Sequence, residues 1–386
     1  MLLIAVAAAA FGLLALAWLA YPAAMWLRAR RLAPGGNTGT APTERVAVVV
    51  ATRDDPAFAL ERVRNLRASE YPSDLLRVVV AVDVSSPFQL EAYVSALRGV
   101  ADVVAGDLPG GKATTLNAGV RAASPGTDVL VFADVGQEFN PGAIGQLVAT
   151  LRDEATGAVT GRYTHGRADG LMSAYASLEA VIRAGQAAGR SVVSASGSIL
   201  AMRPALWREL PPGLICDDLY TGLSVVRQGS RVGFAREAVA YDPRVFTRDQ
   251  QFARRVRTLT GLIQYCLVEP GALLPWRNPV WLHFIMHKVL RLLTPIILAL
   301  GGVTLATWLV LRAPAVSAVT LAILAITSIA FRFLAPARFR RANEQIVWAL
   351  RLMLVPVVAI ANGLRGRWSV WTPTSQARAD LRRTGA

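Results

Sequence analysis

Two aspartates stand at the ends of short, Val-rich apolar runs, Leu76-Arg-Val-Val-Val-Ala-Val-Asp83 and Asp128-Val-Leu-Val-Phe-Ala-Asp134. Runs of this length and composition read as buried strands of a parallel sheet. In open α/β sheets the ligand sits beyond the carboxyl ends of the strands, which makes Asp83 and Asp134 candidate site residues. Their plainer role is to cap the turn that follows. Between them lies Gly110-Gly-Lys-Ala-Thr-Thr-Leu-Asn-Ala-Gly119. Its glycines allow a ligand close to the backbone, and Lys112 can neutralise phosphate. The spacing is not that of a Walker loop. Further on, Asp217-Asp218 is either a reactive acidic pair or an acidic helix start favoured by the helix dipole. Gln251 to Arg255 reads as part of a basic amphipathic helix suited to an anionic surface.

These residues need a scaffold. Arg45-Val-Ala-Val-Val-Val-Ala is another buried strand, followed by a helical pattern over 56–69. Alternation of strands and helices implies a mostly parallel, Rossmann-like sheet with helices on both faces. The expected domain runs from 44 to 245 and is flanked by apolar sequence. Residues 2–27 carry no charge and exceed the roughly 20 residues needed to cross a bilayer. Charge follows this run instead of preceding it, which indicates an uncleaved anchor. A linker at 28–43 joins it to the domain. An interfacial region at 246–290 leads to apolar segments at 291–311, 316–334 and 344–363, and a basic tail occupies 364–386. Arg351 and Pro356 weaken the last segment as a simple span, so three or four transmembrane helices are compatible with the sequence.

The net charge is +15. Its arginines gather beside apolar segments, at Arg28–Arg31, Arg338–Arg341 and Arg378–Arg383, which is the positive-inside pattern. There is no zinc-finger spacing or aromatic RNA-binding signature, so nucleic acid is not an expected partner. Cys216 and Cys266 form no CxxC, which fits a reducing cytosolic compartment for the central domain. His165, His283 and His287 lack the spacing of a metal site, and an interfacial structural role suits the last two.

Taken together, the motifs resemble those of the membrane-bound members of glycosyltransferase family 2, over about 45–300. Val50-Ala-Thr-Arg-Asp-Asp55 stands where that family touches the nucleotide. Gly111 to Gly119 matches its GKAxALNxG, and Ser196 to Arg203 its acceptor-side segment. Asp217-Asp218 matches the ED motif, and Gln251-Phe-Ala-Arg-Arg255 stands for QxxRW. The resemblance implies a GT-A fold plus transmembrane helices.

It also implies roles. Thr52, Arg53, Asp55, Asp83, Lys112, Asn117, Gln251, Arg254 and Arg255 would bind the nucleotide-sugar donor. Asp134 would hold a divalent cation, Mg or Mn. Gly197 and Ser198 would face the acceptor. Asp218 would be the general base, oriented by Asp217, in an inverting transfer. The expected enzyme is a multi-pass plasma-membrane hexosyltransferase with a cytosolic catalytic domain. Its acceptor would be a membrane-associated saccharide or lipid-linked intermediate in cell-surface glycan synthesis. Two departures matter: Gly136 removes the second carboxylate of DxD, and Arg255 replaces the aromatic residue of QxxRW. The first leaves open a weakly catalytic subunit that assists polysaccharide synthesis or export. Transfer to a lipid of the ceramide or polyprenyl-phosphate kind is the other alternative.

Overall fold

A computed structural model of the chain describes residues 1–31, 41–165, 170–320 and 337–368, with isolated positions between 321 and 327. Eight strands form one sheet in the order β3-β2-β1-β4-β7-β6-β8-β5. They are β1 (Val46–Thr52), β2 (Leu76–Val82), β3 (Asp102–Ala105), β4 (Val129–Phe132), β5 (Glu138–Phe139), β6 (Thr156–His165), β7 (Leu200–Met202) and β8 (Arg231–Asp242). The β3-β2-β1-β4 half is wholly parallel, as the apolar runs imply. Beyond β4 the sheet is mixed: β7 runs antiparallel to β4 and β6, while β6 and β8 are parallel.

Alternation along β1 divides the core in two. Val46, Val48 and Val50 face the helix Pro56–Arg67 through Ala59, Val63 and Leu66. Ala47 and Val49 face the helix Lys112–Ala123 through Leu116 and Val120. Burying each valine contributes about 1.5–3 kcal/mol, which fixes the register that delivers the strand ends to the site. Gly119 lets the second helix lie close, since a Cβ there would stand 2.7 Å from Val49 Cγ1. Any side chain at that position would lift the helix, and Lys112 with it, off the sheet.

Among the described residues three helices are long and apolar enough to cross a membrane: Leu2–Ala29, Thr294–Arg312 and Asn343–Leu364. The expected segment at 316–334 and the tail beyond 368 lie largely or wholly outside the described residues. Small residues mark where helices cross. A Cβ on Gly301 would meet Ala10 Cβ at 3.1 Å, and one on Gly185 would meet the Met25 carbonyl oxygen at 2.1 Å. Such close backbone approach is how helices associate where hydrophobic burial supplies little driving force. The second crossing joins the first helix to Gly170–Gly189, a helix of the α/β domain. The third apolar helix docks on Arg248–Val268, with Arg351 Nη2 2.6 Å from Asp249 Oδ1.

Candidate active site

Gly110 and Gly111 adopt φ of +91° and +99°, a backbone region that favours glycine, and turn the chain into the Lys112 helix. Asp83 holds this turn. Its Oδ2 accepts the Gly111 N–H at 2.6 Å and the Thr115 hydroxyl at 2.9 Å, and its Oδ1 accepts the Ser85 N–H at 2.7 Å. Burial alone would raise the Asp83 carboxyl, but the bonds from Ser85, Thr115 and Gly111 hold it below the usual carboxylate range. Asp83 thus fulfils the turn-capping role and, at the same strand end, sets the loop that aims Lys112.

The Lys112 ammonium lies 2.9 Å from Asp134 Oδ1 and 3.0 Å from Asp217 Oδ2, joining the end of β4 to the start of the helix Asp217–Arg227. Burial would lower the lysine, yet the two carboxylates raise it, so it stays charged. Asp134 is held low by Lys112, Arg244 and Arg257 against the opposing effect of burial. Burial, with Asp218 and Asp134 adding repulsion, pushes the Asp217 carboxyl up despite Lys112. Asp218 accepts the Gly197 N–H at 3.3 Å and, on its other oxygen, the Leu219 N–H at 2.8 Å. A Cβ on Gly197 would stand 3.3 Å from Asp218 Cβ and 3.6 Å from Lys112 Nζ. Four segments remote in sequence therefore converge here: Lys112, Asp134, Gly197 and Asp217-Asp218.

Gly136 borders a residue that the sequence reading missed. A Cβ on Gly136 would lie 2.6 Å from Arg244 Nη1 and 2.7 Å from its Cζ. The guanidinium thus fills the space into which a second DxD carboxylate would project. Arg244 is pinned by Asp242, with Nε donating to Oδ1 and Nη2 to Oδ2, both at 2.7 Å. Asp242 also accepts the Tyr163 hydroxyl at 2.6 Å and Gln137 Nε2 at 3.2 Å. These residues fit a divalent cation poorly. Asp134 already pairs with Lys112, and a fixed guanidinium beside it would repel a metal ion. Among the described residues no group of three or more His, Cys, Asp or Glu side chains is placed to hold a metal ion.

The other expected site residues divide into two groups. Gln251, Arg254 and Arg255 line a cavity of about 570 Å³ that also reaches Asp218 and Arg244. Arg254 lies over the Phe246 ring and Arg255 over that of Tyr175. Ser198 shares a 3.0 Å hydroxyl contact with Ser196, in the segment next to Asp218. By contrast, Asn117 brackets the backbone of Leu210 through two 2.9 Å bonds, and Asp55 caps the helix Pro56–Arg67 by accepting the Ala57 N–H. Thr52 is buried at the end of β1 and accepts the Asp54 N–H at 3.0 Å, while the Arg53 carbonyl accepts from Ser86.

His283 and His287 are held by side-chain contacts within the protein. His283 Nδ1 meets the Tyr21 hydroxyl at 3.1 Å, and His287 Nε2 meets Glu179 at 3.0 Å. Glu179 also receives Arg291 Nη1 at 2.7 Å. Burial pushes His287 down to about 4, so it is neutral at physiological pH.

A Rossmann-like sheet with a lysine, carboxylates and arginines at its strand ends is the arrangement expected of a GT-A glycosyltransferase. The family model described as "Glycosyltransferase like family 2" matches residues 42–264, and the chain belongs to that family. A mannosyltransferase from Pyrobaculum calidifontis, solved with GDP-Man and Mn2+, is 22% identical. The match covers 93% of this chain and 99% of that one, with a TM-score of 0.66. Glucosyl-3-phosphoglycerate synthase from Mycobacterium tuberculosis matches at 18% identity, covering 60% and 84% of the two chains, with a TM-score of 0.43. S. aureus TarS matches at 13% identity, covering 89% and 92%, also at 0.43. No curated protein matched the sequence.

Proposed function

We propose that this glycosyltransferase is anchored in the plasma membrane, with its catalytic domain cytosolic. In this reading it transfers a sugar, with inversion, from a nucleoside-diphosphate donor to a hydroxyl of a membrane-associated saccharide or lipid-linked acceptor. The product would enter cell-surface glycan synthesis. The observation that carries the reading is the Lys112 ammonium held between Asp134 and Asp217, with Asp218 at the edge of the adjoining cavity.

Asp218 takes the proton from the acceptor hydroxyl as its oxygen bonds to the anomeric carbon, while the bond from that carbon to the diphosphate breaks. Gly197 and the start of the Asp217 helix orient the base. Lys112 and Arg244 neutralise the departing diphosphate, and Asp134 fixes Lys112 for this task. Asp83 and the Thr52–Asp55 turn shape the nucleotide site, and Gln251, Arg254 and Arg255 form the rim shared with the acceptor. The Arg244 guanidinium at Gly136 favours a rebuilt, working phosphate site over a lapsed one.

The test is Asp218→Asn in the purified full chain, with a panel of UDP- and GDP-sugars. Transfer should fall by at least about 10³-fold, in line with removal of an essential base. Donor affinity should stay within about threefold, because the substitution leaves the diphosphate contacts intact. Parental turnover in the variant would remove Asp218 as the base.

A further inference from the structure

The cavity beside Asp218 has two unlike kinds of lining. Seven basic side chains line it against two acidic ones, Asp218 and Glu179, a surplus of five positive charges. Glu179 is already occupied by His287 and Arg291 Nη1. Several of the lining groups are buried without a hydrogen-bonding partner: Arg183 Nε, Arg291 Nε and Nη2, and Gln251 Oε1. Lys288, which also lines the cavity, forms no ion pair among the described residues. Each unpartnered buried group costs about 1–3 kcal/mol unless a ligand satisfies it. The surplus of cations around one hollow calls for an anion with several oxygens.

Beside these cations the lining is apolar and is drawn from the three long apolar helices among the described residues: Trp18, over whose ring the Arg291 guanidinium lies, from the first, Pro295 from the second, and Leu352, Met353 and Pro356 from the third. A soluble anion leaves that apolar lining unused, and a neutral glycan leaves the cations unanswered. An amphiphile with an anionic head meets both kinds of lining.

We propose that this cavity is the acceptor site and that it takes a phosphate-bearing lipid whose headgroup carries a hydroxyl. The phosphate sits among Arg183, Lys288 and Arg291, and the headgroup hydroxyl reaches Asp218. The hydrocarbon chain leaves between Trp18, Pro295 and Met353. This inference rests on the reading of Asp218 as base, but it concerns a different ligand from the donor. The same chemistry comes from two sources, a sugar-bearing isoprenoid diphosphate and a phosphoglycerolipid with a polyol headgroup.

The test measures lipid binding to the purified full chain. The probes are geranylgeranyl diphosphate, dioctanoyl phosphatidylinositol and a neutral dioctanoyl glucosyl-glycerolipid. One of the two phosphate lipids should bind at least about tenfold more tightly than the neutral lipid, and the tighter of them identifies the chain type. Lys288→Ala and Arg183→Ala should each weaken that binding about tenfold, with Lys288→Arg restoring much of it, as loss and return of one charge-assisted contact would do. UDP and GDP affinity should be unchanged in all three variants. Equal affinity for the neutral lipid, or undiminished phosphate-lipid binding in both alanine variants, overturns the proposal. Loss of nucleotide binding in the parent chain would instead strike at the glycosyltransfer reading itself.

Discussion

If Arg244 stands in for the second DxD carboxylate and its metal, crowding it should injure donor binding, and chelation should not. Gly136→Ala is the smallest perturbation that does this. The new Cβ would lie 2.6 Å from Nη1 and 2.7 Å from Cζ, against the roughly 3.5–4.0 Å of a relaxed contact. The guanidinium must therefore retreat by about 1 Å. It is tethered by two 2.7 Å bonds to a fully buried Asp242. A retreat of that size breaks one bond or draws the guanidinium off the phosphate. A hydrogen bond to a charged group contributes about 1.5–3 kcal/mol, so donor affinity should fall by roughly 10- to 150-fold. Titration of the full chain with GDP- and UDP-sugars, with Mn2+ and with chelator, reads this directly. On this reasoning metal would carry little of the binding, so the parent should lose less than about threefold on chelation. A parent whose affinity collapses on chelation, or an alanine variant that binds like the parent, would refute the reasoning.

Two further outcomes are expected. Asp83→Ala should weaken nucleotide binding about tenfold or more and also lower the melting temperature, because Gly111, Thr115 and Ser85 all lose their acceptor. Unchanged nucleotide affinity would confine Asp83 to a purely structural role. Glu44 is lowered from 4.5 to about 2 by its bonds from Arg152, at 2.7 and 3.0 Å. A depressed carboxyl stabilises the fold above its unfolded value, so this contribution should be present above pH 4.5 and fade as pH falls toward 2. Thermal melts of Glu44→Gln should show a shallower decline across that window than the parent, and parallel curves would exclude the pair as a source of acid sensitivity.

The first half of the sheet was legible because its signal is local. The valine runs of β1, β2 and β4 are buried on both faces, and each ends within a residue or two of the predicted place. Lys112 and Asp134 were each recognisable, but nothing in the sequence shows that Lys112 also touches Asp217. The second half was harder to see. The strand β7 is three residues long and β5 two, too short for a period to register. Arg244 was missed because its meaning depends on Gly136, which lies more than 100 positions earlier. A guanidinium near a strand end looks like solvated charge until that glycine is seen beneath it. Glu179, Arg183 and Lys288 escaped notice for a similar reason, since only the packing of Gly170–Gly189 against the stretch Trp281–Leu292 makes them one cluster. Asn117 was over-read: a polar residue in a glycine-rich motif suggests a ligand, yet its amide is used in bracketing Leu210.

The seam between the first apolar helix and the rest of the chain also dictates an order of assembly. Tyr21 receives its bond from Gln186, 165 residues later, and the Trp18 indole donates to Thr294, 276 residues later. On the ribosome that helix emerges before these partners and must wait for them, while the strands of the α/β domain find theirs within shorter stretches of chain. The cavity therefore cannot close until its late-made walls have been synthesised. A chain stopped before residue 294 could complete much of its sheet and still lack one wall of the cavity at its centre.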